Sequence, residues 1–226
     1  TVSYLRRFSD SYSSLIKEIH NDKKIGIPKS IIITCGAGGI SSMGTHFLDL
    51  CTYLLDEKVI SVMAFSINKN LPNPRGDIFE DPGGYFILNF KNEKRAFIDM
   101  GDDLGLQPKI EIIGNYGRIE INEITKKIIG KARKKEDQEK PMRLYGLENQ
   151  EFINKSFNFE SINELIKKMI ENILSKEKLL VTANLAKDKV EIYSAIRKSF
   201  DTGKVVTLPL DSDYNDKEYM ITWKQF

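Results

Sequence analysis

Apolar positions recur along this chain with two different periods, and the switch between them lays out its architecture. Residues 1–5 read as a short β-like piece ending at Arg6 and Arg7. Ser9 or Asp10 is suited to cap a helix that runs to about Asn21, with Leu15, Ile16 and Ile19 on one face; Gly26 and Pro28 stop it. KSIIITC, residues 29–35, is a β-branched run between turn residues and predicts a buried strand. Beyond a glycine-rich stretch, Met43, Phe47, Leu50, Cys51, Leu54 and Leu55 give a helix from about Ser42 to Leu55 a broad apolar face. The period then shortens to two. Lys58–Ile67 predicts a strand, Asn68–Pro82 a polar loop, 84–101 a hairpin turning at Asn92, and 109–122 a hairpin turning between Gly114 and Gly117. Residues 124–160 are weakly patterned and read as further edge strands and loops.

The helical period returns at the end. Ile162, Leu165, Ile166, Met169, Ile170, Ile173 and Leu174 form one helical stripe, and a second helix runs from Thr182 to Phe200, ended near Gly203 and followed by the extended VVTLPL. Consecutive hairpins pair antiparallel, because parallel neighbours need long crossovers. The expected fold is α+β: an open, mixed, mostly antiparallel sheet with helices on one face. GYFILNF and RAFIDMG carry apolar side chains on both alternations (Tyr85, Ile87 and Asn89 against Phe86, Leu88 and Phe90), so the second sheet face is expected to meet another copy of the chain as a homodimer or homotetramer.

Composition narrows the function classes. With 226 residues, the chain buries a sizeable core without a disulfide or metal staple. Its two cysteines, Cys35 and Cys51, are far from any C-x-x-C spacing, which fits a reducing, cytoplasmic setting. Two histidines, His20 and His46, cannot build a multi-histidine metal site, and none is expected. A net charge of +2 gives no reason to expect a nucleic-acid partner. No apolar run reaches the ~18 residues of a membrane-spanning helix, so no membrane partner is expected. The basic cluster Lys126–Lys135, followed at once by EDQEK, is either a solvated hairpin or an anion-binding patch; the first is the plainer reading. The start, TVSYLRRFSD, has neither an initiator Met nor a signal-peptide core and reads as the interior of a longer sequence.

The stretch CGAGGISSMGTHFLDLC, 35–51, carries the candidate chemistry. Glycines between a strand and a helix suggest a phosphate cradle. A dinucleotide fingerprint, however, needs G-x-G-x-x-G/A and an acid at the tip of the next strand. Here the third position is Ser41, the next strand ends Ser66-Ile67-Asn68, and hairpins follow. The other reading centres on His46, with Ser42 four residues before it and Asp49 three after. An imidazole can take a proton from an alcohol and return it near neutral pH. Upstream glycines allow close approach of a ligand. A satisfied, half-buried helix histidine is the alternative.

Gly38-Gly39-Ile40-Ser41-Ser42-Met43-Gly44-Thr45-His46-Phe47-Leu48-Asp49 resembles the signature helix of the glucose-fructose oxidoreductase/inositol dehydrogenase/rhizopine catabolism (Gfo/Idh/MocA) family. YLRRFSDSYSSLIKEIHNDKKIGIPKSI, YLLDEKVISVMAF, GYFILNFKNEKRAFID, IEIIGNYGRIEIN and AIRKSFDTGKVVTLPL are similar to its other segments, in order along nearly the whole chain. The resemblance implies a dihydrodipicolinate-reductase-like C-terminal domain that binds substrate and oligomerises through its open sheet. It further implies that residues 1–8 are the last strand of a Rossmann domain otherwise missing here, 9–210 the C-terminal domain and 211–226 a tail. The implied activity is NAD- or NADP-dependent hydride transfer on a sugar, polyol or nucleotide-linked sugar, with the cofactor bound mainly by the missing domain. His46 takes the place of the family's proton acid/base, and Ser42, Gly38, Gly39, Asp49 and Arg7 the substrate side. Arg6 and Arg7 match the family's arginine pair, which faces the cofactor or a substrate anion or else forms salt bridges; Arg6 is the cofactor candidate. Asp49 serves mainly as support for the site. One departure is chemical: the acid common four residues before the histidine is Ser42, which cannot supply a negative charge to raise the imidazole pKa. That keeps a second function open, a non-catalytic ligand-sensing or assembly module with the same fold.

Overall fold

The computed structural model describes residues 3–36, 38–67, 81–105, 107–141, 147–175 and 178–211. Most of the expected loop 68–82 and nearly all of the tail 211–226 lie outside them. Among the described residues four helices, α1 (Asp10–His20), α2 (Thr45–Leu55), α3 (Ile162–Leu174) and α4 (Ala183–Thr202), accompany nine strands: β1 (Pro28–Thr34), β2 (Val59–Ile67), β3 (Gly83–Phe90), β4 (Arg95–Met100), β5 (Lys109–Gly114), β6 (Gly117–Asn122), β7 (Lys127–Arg133), β8 (Asn149–Ser156) and β9 (Val206–Thr207). They form one open sheet in the order β8-β7-β6-β5-β1-β4-β3-β2-β9. Every neighbouring pair is antiparallel except β1 and β4, which run parallel with Ile33 opposite Ile98 and Thr34 opposite Asp99. The expected α+β class and mixed, mostly antiparallel sheet are what the structure has.

Alternation along the strands builds the core. Ile31 and Ile33 of β1, Ile98 of β4, Phe86 and Leu88 of β3, Ile110 and Ile112 of β5, and Ile119 and Ile121 of β6 all point to one buried face. Leu15 and Ile19 of α1, Phe47, Leu50 and Leu54 of α2 and Ile192 and Ile196 of α4 cover it. The opposite face carries Phe65, Tyr85 and Phe97, each about two-fifths exposed, with Phe65 and Tyr85 stacked at 5.0 Å.

Three local outcomes differ from the sequence reading. Leu5–Phe8, expected as the end of a strand, is a single 3-10 turn. Tyr4, just before it, and its Phe8 pack with Leu165 of α3 and Val181 instead of joining the sheet. The start of α1 is capped from elsewhere: Glu160 accepts from the Ser9 hydroxyl (2.7 Å) and the Asp10 N–H (2.8 Å). Burial alone would raise this carboxyl, but Lys168, Ser9 and the Asp10 N–H hold it down at about 2. Finally, α3 has the predicted stripe and a full capping box at Ser161 and Glu164. Of the stripe only Leu165 is buried, while Ile162, Ile170, Ile173 and Leu174 face outward.

Candidate active site

The candidate site lies where the carboxyl end of β1 passes into α2, beside the parallel neighbour β4; the Cys35 N–H donates to the Asp99 carbonyl at 2.8 Å. The chain does not enter α2 directly. Gly39–Gly44 forms a π-helical turn, with the Met43 N–H donating to the Gly38 carbonyl five residues back. Gly39 sits at φ +67°, a conformation that suits glycine, and a side chain there would run into Asp81. The Asp81 carboxylate accepts from the Ser41 N–H (2.7 Å) and the Ser42 N–H (3.0 Å). The backbone donors that a phosphate would need are therefore filled by the protein's own carboxylate, so the glycine turn does not fit a dinucleotide pyrophosphate. Gly39 is buried against Asp81, and Gly38 is half-buried against Met43.

His46, on the first turn of α2, is half-buried and meets the ring of Tyr4 edge to face at 5.8 Å. Burial lowers its pKa; the Arg6 charge lowers it further and Asp49 acts in the opposite direction. The imidazole is consequently held neutral at physiological pH and ready to accept a proton. Burial and the nearby Asp49 push the Tyr4 hydroxyl up to about 12, so it stays protonated.

Arg6 and Arg7 diverge beneath this surface. Arg6 makes a bidentate pair with Glu123, in the turn after β6, at 2.8 and 2.7 Å. Tyr12 donates to the same carboxylate at 2.7 Å, and the guanidinium stacks over Phe47. Arg7 makes a bidentate pair with Asp49 (2.8–3.0 Å) and stacks over Tyr53 at 4.5 Å. Asp49 is 1% exposed. Of the residues expected at the site, His46, Asp49, Arg6 and Arg7 thus form one cluster. Ser42, half-buried, sits one turn earlier beside Asp81. Arg6, expected at the cofactor, spends its guanidinium donors on Glu123 and reaches the site as fixed charge.

Three members were not read from the sequence. Tyr4 was absorbed into a nominal strand. Asp81 comes from the far end of a loop about 40 residues downstream. Lys189 of α4, 4% exposed, lies close to Asp49, Arg7 and Cys51; burial lowers its pKa and Asp49 partly offsets this. Its place was hidden within a helix read only for apolar spacing. Among the described residues no cluster of three or more His, Cys, Asp or Glu side chains is arranged to hold a metal ion, and no helix is long and apolar enough to cross a membrane.

The domain family described as "Oxidoreductase family, C-terminal alpha/beta domain" matches residues 34–208. No curated protein sequence matches the chain significantly. Among solved structures, the aldose-aldose oxidoreductase of Caulobacter crescentus, complexed with glycerol, superposes with a TM-score of 0.65 at 16% identity over 91% of this chain and 62% of that one. An NAD binding oxidoreductase from Klebsiella pneumoniae gives 0.66 at 13% identity over 93% and 66%. The super-repressor mutant of Gal80p from Saccharomyces cerevisiae gives 0.66 at 14% identity over 91% and 64%. At these identities the likeness is one of fold. The chain spans less than two-thirds of the length of each of these neighbours.

Proposed function

Since the chain belongs to the oxidoreductase family defined by this C-terminal α/β domain, we propose that it forms the substrate side of an NAD- or NADP-dependent oxidoreductase acting on a sugar, polyol or nucleotide-linked sugar. The observation that carries this reading is His46: a half-buried imidazole kept neutral by burial and by Arg6, at the carboxyl end of the parallel strand pair. When bound, the nicotinamide supplies the hydride acceptor or donor. Its phosphates need a cradle other than the glycine turn, in a nucleotide domain outside these residues. This chain's own part is to orient the substrate and to hold or release its hydroxyl proton at the His46 imidazole. Tyr4 fixes the ring's edge, and Arg7 with Asp49 anchors the helix beneath it.

The test uses the longest protein the gene encodes, assayed with NAD and NADP against polyols, aldoses and nucleotide-linked sugars. His46→Ala is expected to lower kcat by about 10²–10⁴ with an unchanged melting temperature. A fall in stability with turnover per folded molecule intact would make His46 scaffolding and sink the assignment.

A second reading is a non-catalytic ligand sensor or assembly module. It is favoured by Ser42 in the place of the family's acid and by the equal likeness to a super-repressor form of Gal80p. Ligand binding without turnover across the whole panel would establish it. Under either reading, the aromatic open face of the sheet is proposed to pair with a second copy of the chain.

A further inference from the structure

At the end of the sheet remote from His46, four sequence-distant stretches converge on a cleft of about 720 Å³. They are the turn after α1, the β5–β6 turn, the end of β7 with the residues after it, and the start of β8. The seven residues of β1 separate the two places: Pro28 begins beside the cleft and Thr34 ends below α2, roughly 20 Å away at ~3.3 Å per residue. The cleft gathers part of the basic cluster that sequence alone reads as a solvated hairpin. Lys23, Lys24, Arg133 and Lys135 all line it, four cations with one carboxylate, Asp22, among the lining residues; the Arg133 Nη1–H also donates to the Lys140 carbonyl at 3.3 Å.

The walls are fixed before any ligand arrives. The Gly26 N–H donates to the Lys23 carbonyl (2.8 Å), the Tyr116 N–H to Ile25 (2.9 Å) and the Arg133 N–H to Tyr116 (2.7 Å). Gly26, at φ +74°, lets the Tyr116 ring lie directly on its backbone, since a Cβ there would meet the ring at 2.8 Å. Ile27, which also lines the cleft, leaves half its surface in water. A solvated basic face has no use for a fixed aromatic wall, whereas ligand sites of ~300–1,000 Å³ combine apolar walls with a few convergent charges. Several cations around one volume call for a ligand with more than one negative charge.

We propose that this cleft binds a small molecule with two or more phosphates attached to an aromatic ring, a nucleoside diphosphate in chemical class. Its phosphates meet Lys23, Lys24, Arg133 and Lys135, and its ring lies on Ile27 and Tyr116. The site lies apart from His46 and stands independently of the reaction assigned there.

Calorimetric titration of the chain with ADP and with inorganic pyrophosphate tests this. ADP is expected to bind more tightly than pyrophosphate. Lys24→Ala and Lys135→Ala, both at exposed positions that leave the fold intact, should each weaken ADP about tenfold. Ile27→Ser should bring ADP down to the affinity of pyrophosphate, and His46→Ala should change nothing. The proposal is overturned by absence of ADP binding at millimolar concentration, by affinity indifferent to both lysines, by loss of binding in His46→Ala, or by pyrophosphate binding as tightly as ADP.

Discussion

Asp49 acts on several neighbours at once: it pairs with Arg7, offsets part of the burial cost of the Lys189 charge, and raises the Tyr4 hydroxyl and the His46 imidazole. Removing one partner of a buried pair strands the other, so Asp49→Ala should cost about 3–5 kcal/mol in denaturant unfolding. The double replacement Arg7→Met with Asp49→Leu should recover most of that loss. Lys189 has the opposite sign. Its folded pKa lies below the unfolded value of 10.5, so over the window between them the unfolded chain binds the extra proton and stability rises with pH. Lys189→Met should therefore be more stable than the parent at neutral pH, by a few degrees in Tm, with the gap closing as pH climbs towards 10.5. A gap independent of pH would show that Lys189 is charged at no cost. At this scale the sequence told only part. His46, Asp49 and the arginine pair stand close together in the chain or in a recognisable motif. Lys189 and Asp81 reach the cluster only through tertiary packing, which leaves no local mark.

The elements were more readable than the joints between them. The β-branched run 29–35 became β1, the Asn92 and Gly114–Gly117 turns fall where expected, and α2, α3 and α4 match their apolar spacing. The π-helical entry to α2 was not readable, because it depends on Asp81 closing over the Ser41 and Ser42 N–H groups. The glycines there were read as room for a ligand; Gly39 is in fact room for Asp81. Asp81→Ala should cost about 1–2 kcal/mol, as does loss of a helix cap, and should lower turnover by loosening the turn that leads to His46. Gly39→Ala adds a positive-φ penalty to the same clash and should be the more damaging of the two. Thermal melts of both variants, with hydrogen exchange at residues 40–46, distinguish a local loosening from global loss.

For the whole molecule, a single sheet with helices on one side leaves an apolar surface to be covered. Phe65, Tyr85 and Phe97 cluster on the bare side, though their strands also carry Arg95 and Asn89. A second copy of the chain seated there would remove the aromatics from water. Tyr85→Lys combined with Phe97→Glu should then yield a folded monomer in analytical ultracentrifugation, whereas the parent is expected to sediment as a dimer or larger. A monomeric parent at high micromolar concentration would count against the pairing. The two-sided apolar pattern of GYFILNF made this face legible; the strand order did not, because which hairpin sits beside which is decided by long-range pairing. That order carries its own consequence at β1. Ile31 is paired with Ala96 on one side and with Ile112 on the other, so the central strand has no neighbour until synthesis has passed β4 and gains its second only after β5. Closing such long loops is slow. On the ribosome, α1, β1 and α2 therefore wait as an unfinished, sticky edge, and a pause in translation between residues 35 and 95 would be the moment of greatest exposure to chaperones and to aggregation.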